Sequence, residues 1–406
     1  MTISQQFPKP TQICANIVVI GAGLVGRLMA LSLVNQGHQV TLVDKDNKQG
    51  HQSAAYAAAG LLTPLGEAMH SDRNIVEMGF ESLALWPEIL AKLDSYTYFQ
   101  QAGTLMVSHE QDQGDYQRFM AYIKSHYPQH QLQQLNRQQI LALEPELAHR
   151  FNHGLFLPEE GQIGNRKLLK ALQKQLEKSS VTWLESAPVV NIEQQKSSCL
   201  VTYHEDSPLG NKGNKGNRQT NTSKHIIAAD LAIDCRGAGA RNSAGENTAA
   251  PLKDLRGVRG EIFQLFAPEV NITRPIRLMH PRYQLYIAPK TNGFYVVGAT
   301  EIESEDCAPM TVRSSMELLS AAYSVHAGFA EANIHQHISQ LRPAFSDNQA
   351  KISLQNRLIQ VNGLFRHGYL IAPVVLKQLE FTVAHFFECR SLTESPYHKW
   401  LAINEY

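Results

Sequence analysis

Apolar and polar positions fall into blocks along the chain, and the spacing within each block names an element. Asn16–Ile20 (NIVVI) is a short continuous apolar run, as expected of a strand buried on both faces. A glycine-rich turn follows, after which Leu24, Leu28, Leu31 and Val34 recur at helical spacing through residues 24–36, with Gly37 placed to end the helix. Residues 39–44 (QVTLVD) read as a second buried strand. This βαβ opening predicts a parallel, doubly wound sheet.

Further along, residues 73–144 are helical in pattern, broken by an extended piece at 102–108. A turn-rich stretch at 154–164 precedes a helix over 165–178, and strand-like segments follow at 181–185, 189–194 and 199–204. Residues 205–224, polar and rich in Gly and Asn, read as a hairpin tip because strand-like sequence resumes directly after them. Residues 226–235 run apolar into a second glycine turn, 236–239. Alternation at 260–266, 284–288 and 293–300 predicts an antiparallel sheet. Residues 358–361 then lead to a glycine-bearing loop, and an apolar helix pattern covers 372–387. The expected fold class is α/β: a Rossmann-like doubly wound domain with an inserted mixed or antiparallel-sheet substrate domain. The division places 12–80, 150–255 and 340–395 in the first domain, and 81–149 and 256–339 in the second.

Length agrees with that division, since 406 residues suit two packed domains at ~150 residues each. Basic and acidic residues number 37 each, and a chain without net charge has little reason to seek nucleic acid or an anionic membrane. With 43% apolar and 18% charged residues, a folded globule is expected rather than a disordered chain. No apolar run reaches the ~20 residues of a membrane span, and residues 1–11 lack a signal-peptide core. Five scattered cysteines, Cys14, Cys199, Cys235, Cys307 and Cys389, form neither a disulfide framework nor a metal cluster. A soluble cytoplasmic protein without a metal site is expected, and homo-oligomerisation is left open.

Candidate chemistry starts at Gly21-Ala22-Gly23-Leu24-Val25-Gly26. Gly21 permits the tight turn, Gly23 lets backbone approach a pyrophosphate, and Gly26 lets helix pack closely on strand. Context lifts this motif above a chance GxGxxG, because it joins strand to helix and Asp44 ends the next strand, where a ribose-binding carboxylate belongs. The 54–62 run AAYAAAGLL reads either as backbone N–H groups open to a flat ring or diphosphate, or as an alanine-rich helix. Asp234-Cys235-Arg236-Gly237-Ala238-Gly239 closes a late strand with another close-approach turn.

Taken in order, VVIGAGLVG with Asp44, AAAGLLTP, GVRGEIFQL, YIAPKTNGFYVVGATEIE, LRPAFSDN and GLFRHGYLIAP resemble the FAD-dependent D-amino-acid oxidase/sarcosine oxidase family, and within it the glycine oxidases of thiamine biosynthesis. The resemblance spans most of the chain, except the N-terminal tail, residues 205–224 and the extreme C-terminus. It implies non-covalent FAD, with Leu24 and Val25 at the pyrophosphate and Asp44 and Lys45 at the adenosine ribose. It implies further that Ala54, Ala55, Ala59, Gly60 and Leu61 line the diphosphate and flavin approach, with Gly237 in the second turn. Val189 would meet the adenine edge, and Leu364, Phe365, Arg366, His367, Gly368, Tyr369 and Leu370 would wrap the flavin's pyrimidine end. Arg342 is implied as the clamp for the substrate carboxylate, a task suited to its planar fork. Tyr286 is its hydroxyl partner, and Arg366 serves either that carboxylate or the flavin loop.

The implied activity is oxidative deamination of glycine or a similar small amino acid, with O2 reduced to H2O2. Rival readings are a D-amino-acid dehydrogenase or sarcosine oxidase-like enzyme, a nicotinamide-dependent dehydrogenase, and a flavin-dependent modifier or non-catalytic flavoprotein. No catalytic histidine is nominated, because His280, His326, His335, His337 and His367 show no paired carboxylate or metal spacing. Cys307 and Cys389 are expected to be buried structural thiols. The sequence departs from the family pattern at LRPAFSDN, which lacks the glycine after Arg-Pro, at AKISLQ, at Tyr56 inside the small-residue run, and at His367, where asparagine is common. These departures bear on the shape of the substrate pocket.

Overall fold

In the computed structural model, which describes residues 14–147, 151–206, 222–243, 252–280 and 285–405, the strand Asn16–Ile20 pairs in parallel with Gln39–Val43 on one side and Leu231–Asp234 on the other. Its apolar run has a direct cause. Ile17 and Val19 face a core built on the helices Leu24–Asn35, Arg73–Leu90, Asn165–Lys178 and Gly368–Glu388. Val18 and Ile20 face the antiparallel meander Val189–Gln194, Cys199–Asp206 and Thr222–Ala229. With both faces covered, the four buried positions Ile17–Ile20 are all apolar, and only Asn16 at the exposed start is polar. The full sheet orders Ile403–Glu405, Lys351–Gln355, Leu358–Asn362, Leu231–Asp234, Asn16–Ile20, Gln39–Val43 and Thr182–Leu184. Of the expected hairpin tip, 205–224, residues 207–221 lie outside the described residues, while 205–206 and 222–224 at its two ends belong to paired strands.

A second, eight-stranded sheet runs from Asn333–Ala344 through Arg256–Phe266, Phe294–Gly298, Leu285–Pro289, Ile276–Met279, Thr104–Ser108 and His153–Leu157 to Gln133–Asn136. Its alternation sorts two environments. Phe263, Leu265, Tyr295 and Val297 pack under the helix Val312–Val325, while Ile262, Ala288, Val296 and Ile338 look the other way, onto Ala57 and Ala59. The sequence division placed 153–157 and 340–344 with the nucleotide-binding part, but both segments pair within this sheet. His153–Leu157 pairs antiparallel with Thr104–Ser108 on one side and with Gln133–Asn136 on the other.

The helix Gly368–Glu388 is long and apolar enough to cross a membrane by length and composition, although the sequence reading expected no such run. Its contacts account for its composition. It packs against both Leu24–Asn35 and Arg73–Leu90, and 61% of its apolar window is buried, so most of its faces meet protein.

Two glycines decide how closely the first helix approaches the sheet. Gly21 has φ +98°, and a Cβ there would stand 2.8 Å from the Cys235 carbonyl oxygen. A Cβ on Gly26 would collide with the Gly21 carbonyl. Gly26→Ala is therefore expected to force the helix off the turn and destabilise the protein by about 1–3 kcal/mol, as overpacking does. Chemical denaturation should register the loss, and a Gly26→Ala protein as stable as the parent would refute the close-packing role.

Candidate active site

One cavity of about 800 Å³ lies where the two sheets meet, and the starts of the helices Leu24–Asn35 and Gly368–Glu388 both open into it. Neither helix start carries a side-chain cap, so first-turn N–H groups remain available on each. A Cβ added to Gly23 or Gly368 would meet no atom within 4 Å, so the space before both helix ends is open. Two positive dipole ends thus face one cavity.

Asp44, at the end of the second strand, accepts the Ala22 N–H through Oδ2 and the Asp46 N–H through Oδ1 at 2.7 Å. Burial pushes its carboxyl up, against these two hydrogen bonds. A carboxylate has about four acceptor sites, so capacity remains for a ribose hydroxyl. Ala54–Ala57 forms a single helical turn, in line with the alanine-rich helix reading, and Leu61–Leu62 a short strand paired with Gln162 and Gly161. Asn165 Nδ2 donates to the carbonyls of Ala55, Tyr56 and Ala58 at 3.2, 3.1 and 2.6 Å, and the Tyr369 hydroxyl also donates to Ala55. Tyr56 does not line the cavity; its ring meets that of His51 at a tilt, with centroids 4.7 Å apart, and lies beneath Arg166.

At the other end stand Arg342 and Tyr286. Arg342 Nη1 donates to the Thr300 carbonyl at 3.0 Å, and among the described residues the guanidinium forms no ion pair. Burial lowers its pKa, yet an arginine so placed remains charged. Strand register explains its seat. Arg342 pairs with Val258, which puts its side chain over Gly260 on the same face, where any Cβ would overlap the guanidinium. Gly298 does the same for Tyr286, since a Cβ there would come within 2.6 Å of the phenol oxygen. Burial pushes the Tyr286 hydroxyl up to about 12, so it stays a donor.

Arg366 differs from Arg342. Its Nε meets Glu67 at 2.9 Å and its Nη1 meets Glu301 at 3.0 Å, so the expected second clamp is already held between two carboxylates. Glu67 also pairs with Arg277, and these two arginines hold its carboxyl well below the usual carboxylate range despite its burial. His367 lies 3.6 Å from Glu67, and Ser71 sits 2.9 Å from its Nε2. Burial lowers the imidazole, which leaves it neutral, and its buried Nδ1 has no partner. His367 and His326, which meets Glu146 at 2.6 Å, do therefore have carboxylate neighbours that the sequence did not reveal.

Nearly all the expected residues line the cavity: Gly21, Gly23, Leu24, Val25, Asp44, Lys45, the named members of the 54–61 run, Gly237, Tyr286, Arg342 and 364–370. Two do not. Gly26 packs against the Gly21 carbonyl, and Val189 lies in the meander with its own carbonyl accepting Arg236 Nη1 at 3.4 Å. Cys307 and Cys389 are exposed rather than buried. Glu67, Arg277, Glu301 and Asn165 went unnoticed in the sequence. Arg277 alone carried a signal, as a charge inside the otherwise apolar strand Ile276–Met279.

These residues fit FAD. The open glycines at two helix starts suit a diphosphate and a flavin edge, and His367, whose buried Nδ1 is unpaired among the described residues, lines the same cavity. The sequence profile of the FAD dependent oxidoreductase (DAO) family matches residues 16–379. The chain is 32% identical, over 88% of its length and 93% of the relative's, to the putative thiamine biosynthesis oxidoreductase ThiO of Rhizobium etli. Among solved structures it is similar to glycine oxidase from Geobacillus kaustophilus, at 21% identity and TM-score 0.73, covering 93% of this chain and 95% of that one. Iminodiacetate oxidase from Chelativorans sp. gives the same identity and TM-score, with 96% and 99% covered. At that identity the two structures speak for the fold.

Behind the cavity, Glu160 is wholly buried and accepts the Gly66 N–H at 2.8 Å, and burial pushes its carboxyl up to about 7. Between the ordinary value of 4.5 and about 7 the folded protein keeps a proton that the unfolded chain has released. Stability from this group therefore falls as pH rises through that window. Glu160→Gln, which keeps the acceptor for Gly66, should flatten the decline in melting temperature between pH 5 and pH 8 relative to the parent. Identical pH profiles for the two proteins would show that the carboxyl is not perturbed.

Proposed function

We propose that this chain, which belongs to the FAD-dependent oxidoreductase (DAO) family, oxidises a small amino acid, glycine first, at the Arg342 end of its cavity. Overall, glycine, O2 and water would give glyoxylate, ammonia and H2O2. FAD, when bound, supplies the two-electron acceptor. The observation that carries the reading is Arg342, a half-buried guanidinium that lines the cavity and forms no ion pair among the described residues.

Charge and shape at this end favour an amino acid's carboxylate. The Arg342 fork offers two parallel N–H donors, and its link to the Thr300 carbonyl sets the plane in which they point. Tyr286, kept protonated, adds a hydroxyl donor from the strand Leu285–Pro289, three strands along the same sheet. Gly260 and Gly298 fix both groups against the sheet, so a bound carboxylate holds its Cα in one orientation. Orientation of this kind is the main contribution a protein makes to such an oxidation. The N–H groups at the start of Gly368–Glu388 stabilise negative charge in the cavity.

The R. etli relative's name supports a place in thiamine biosynthesis, where the imine would pass to thiazole formation. O2 as terminal acceptor is part of the same proposal. Departure from the family pattern after Arg342 leaves the site intact, because Pro343 and Ala344 continue the strand and Arg342 keeps its seat over Gly260.

Arg342→Ala should lower kcat/KM for glycine at least about a hundredfold, the scale of two charge-assisted hydrogen bonds, while flavin content stays equal to the parent's. Steady-state kinetics beside the visible flavin spectrum separates the two effects. An unchanged KM in that variant would refute the clamp, and a parent protein whose flavin glycine fails to bleach without O2 would refute the reaction.

A further inference from the structure

Three guanidinium groups line the substrate end of the cavity, Arg277, Arg342 and Arg366, and two of them, Arg277 and Arg366, pair with the carboxylates of Glu67 and Glu301. Glu67 is buried beneath Arg277 and Arg366 and joins them. Glu301 approaches Arg366 from the open side, with 46% of its side chain exposed, and binds Nη1 at 3.0 Å. It also follows directly on Thr300, whose carbonyl anchors Arg342. One strand end therefore fixes the bare arginine and screens the other. At this end an incoming molecule meets Arg342, which forms no ion pair among the described residues, with the Glu301 carboxylate nearby; Lys45 and Arg313 line the same cavity.

We propose that Glu301 is the residue that restricts this site to amino acids bearing one carboxylate. The inference rests on the proposed oxidation and deepens it by naming the substrate class. Arg366 is held in place from below by Glu67 whether or not Glu301 is present, so its outward Nη1 is a preformed anion site that Glu301 fills. A second carboxylate on the substrate would have to displace Glu301 or sit beside it against like-charge repulsion. A neutral or cationic side chain meets neither obstacle. The selecting element is a side chain of the protein acting as a built-in competitor for its own arginine.

The test uses the FAD-loaded protein and two unreactive probes, acetate with one carboxylate and malonate with two, titrated against the flavin absorbance spectrum. The parent should bind acetate more tightly than malonate. Glu301→Gln should tighten malonate about fivefold or more, the factor for one unit charge removed at about 4 Å in water-like surroundings, and change acetate by less than about twofold. Glu301→Asp, which keeps the charge, should still exclude malonate. Glu303→Gln removes a nearby carboxylate that pairs with Arg256 instead, and it should leave both affinities unchanged. Unaltered malonate binding in Glu301→Gln, with acetate binding intact, would overturn the role of Glu301 while sparing the oxidation. An equal gain in Glu303→Gln would reduce it to a general charge effect and overturn it too. If neither probe perturbs the parent's spectrum and glycine fails to bleach its flavin, the oxidation itself falls, and this inference with it.

Discussion

A half-buried guanidinium with no ion pair among the described residues is the constraint around which this molecule is arranged. Taking a charge out of water is costly unless partners replace the water, and Arg342 has one protein carbonyl in that role. Two other arginines show the ordinary solutions. Arg27, wholly buried, donates to the carbonyls of Ala22, Leu169 and Lys48 and ties the nucleotide turn to its surroundings. Arg366 lies between two carboxylates. Partner type separates their roles: carbonyls on every side mark a structural tie, carboxylates a closed network, and a missing partner a place for a ligand's charge.

Much of the nucleotide half could be read along the chain because its signals are local. The glycine turn, the apolar strand before it and the carboxylate ending the next strand lie within thirty residues of one another, and each acts through its own backbone. Helix 165–178 was legible for the same reason, from spacing alone. The substrate end was less so. Whether Arg366 is available depends on Glu67 and Glu301, residues from a short helix and a loop far away in sequence, and no periodicity announces either. Val189 shows the same limit from the other side, since its position in a strand was plain while the loss of its carbonyl to Arg236 was not.

Glycines in two of the recurrent motifs act by shape rather than flexibility. In GVRGE, Gly260 leaves the hollow that the Arg342 guanidinium fills, while its neighbours Arg259 and Glu261 point to the opposite face and pair with each other. Arg259 also holds the carbonyls of Asp306 and Pro309, which pins down the loop that leads away from Glu301. In VVGAT, Gly298 gives the Tyr286 ring its place. Both hollows lie on the face of the eight-stranded sheet that looks toward the small residues of 54–61.

The walls of the cavity are drawn from both ends of the chain, from Gly21 to Leu370, and neighbouring strands of the first sheet, Asn16–Ile20 and Leu231–Asp234, are joined across more than half its length. During synthesis the nucleotide turn therefore emerges long before Arg342 or the second helix start that completes its surroundings. A cofactor that needs all of these can be captured only after the start of Gly368–Glu388 has been made. Because such a ligand binds the folded form alone, its arrival fastens two segments made far apart in time.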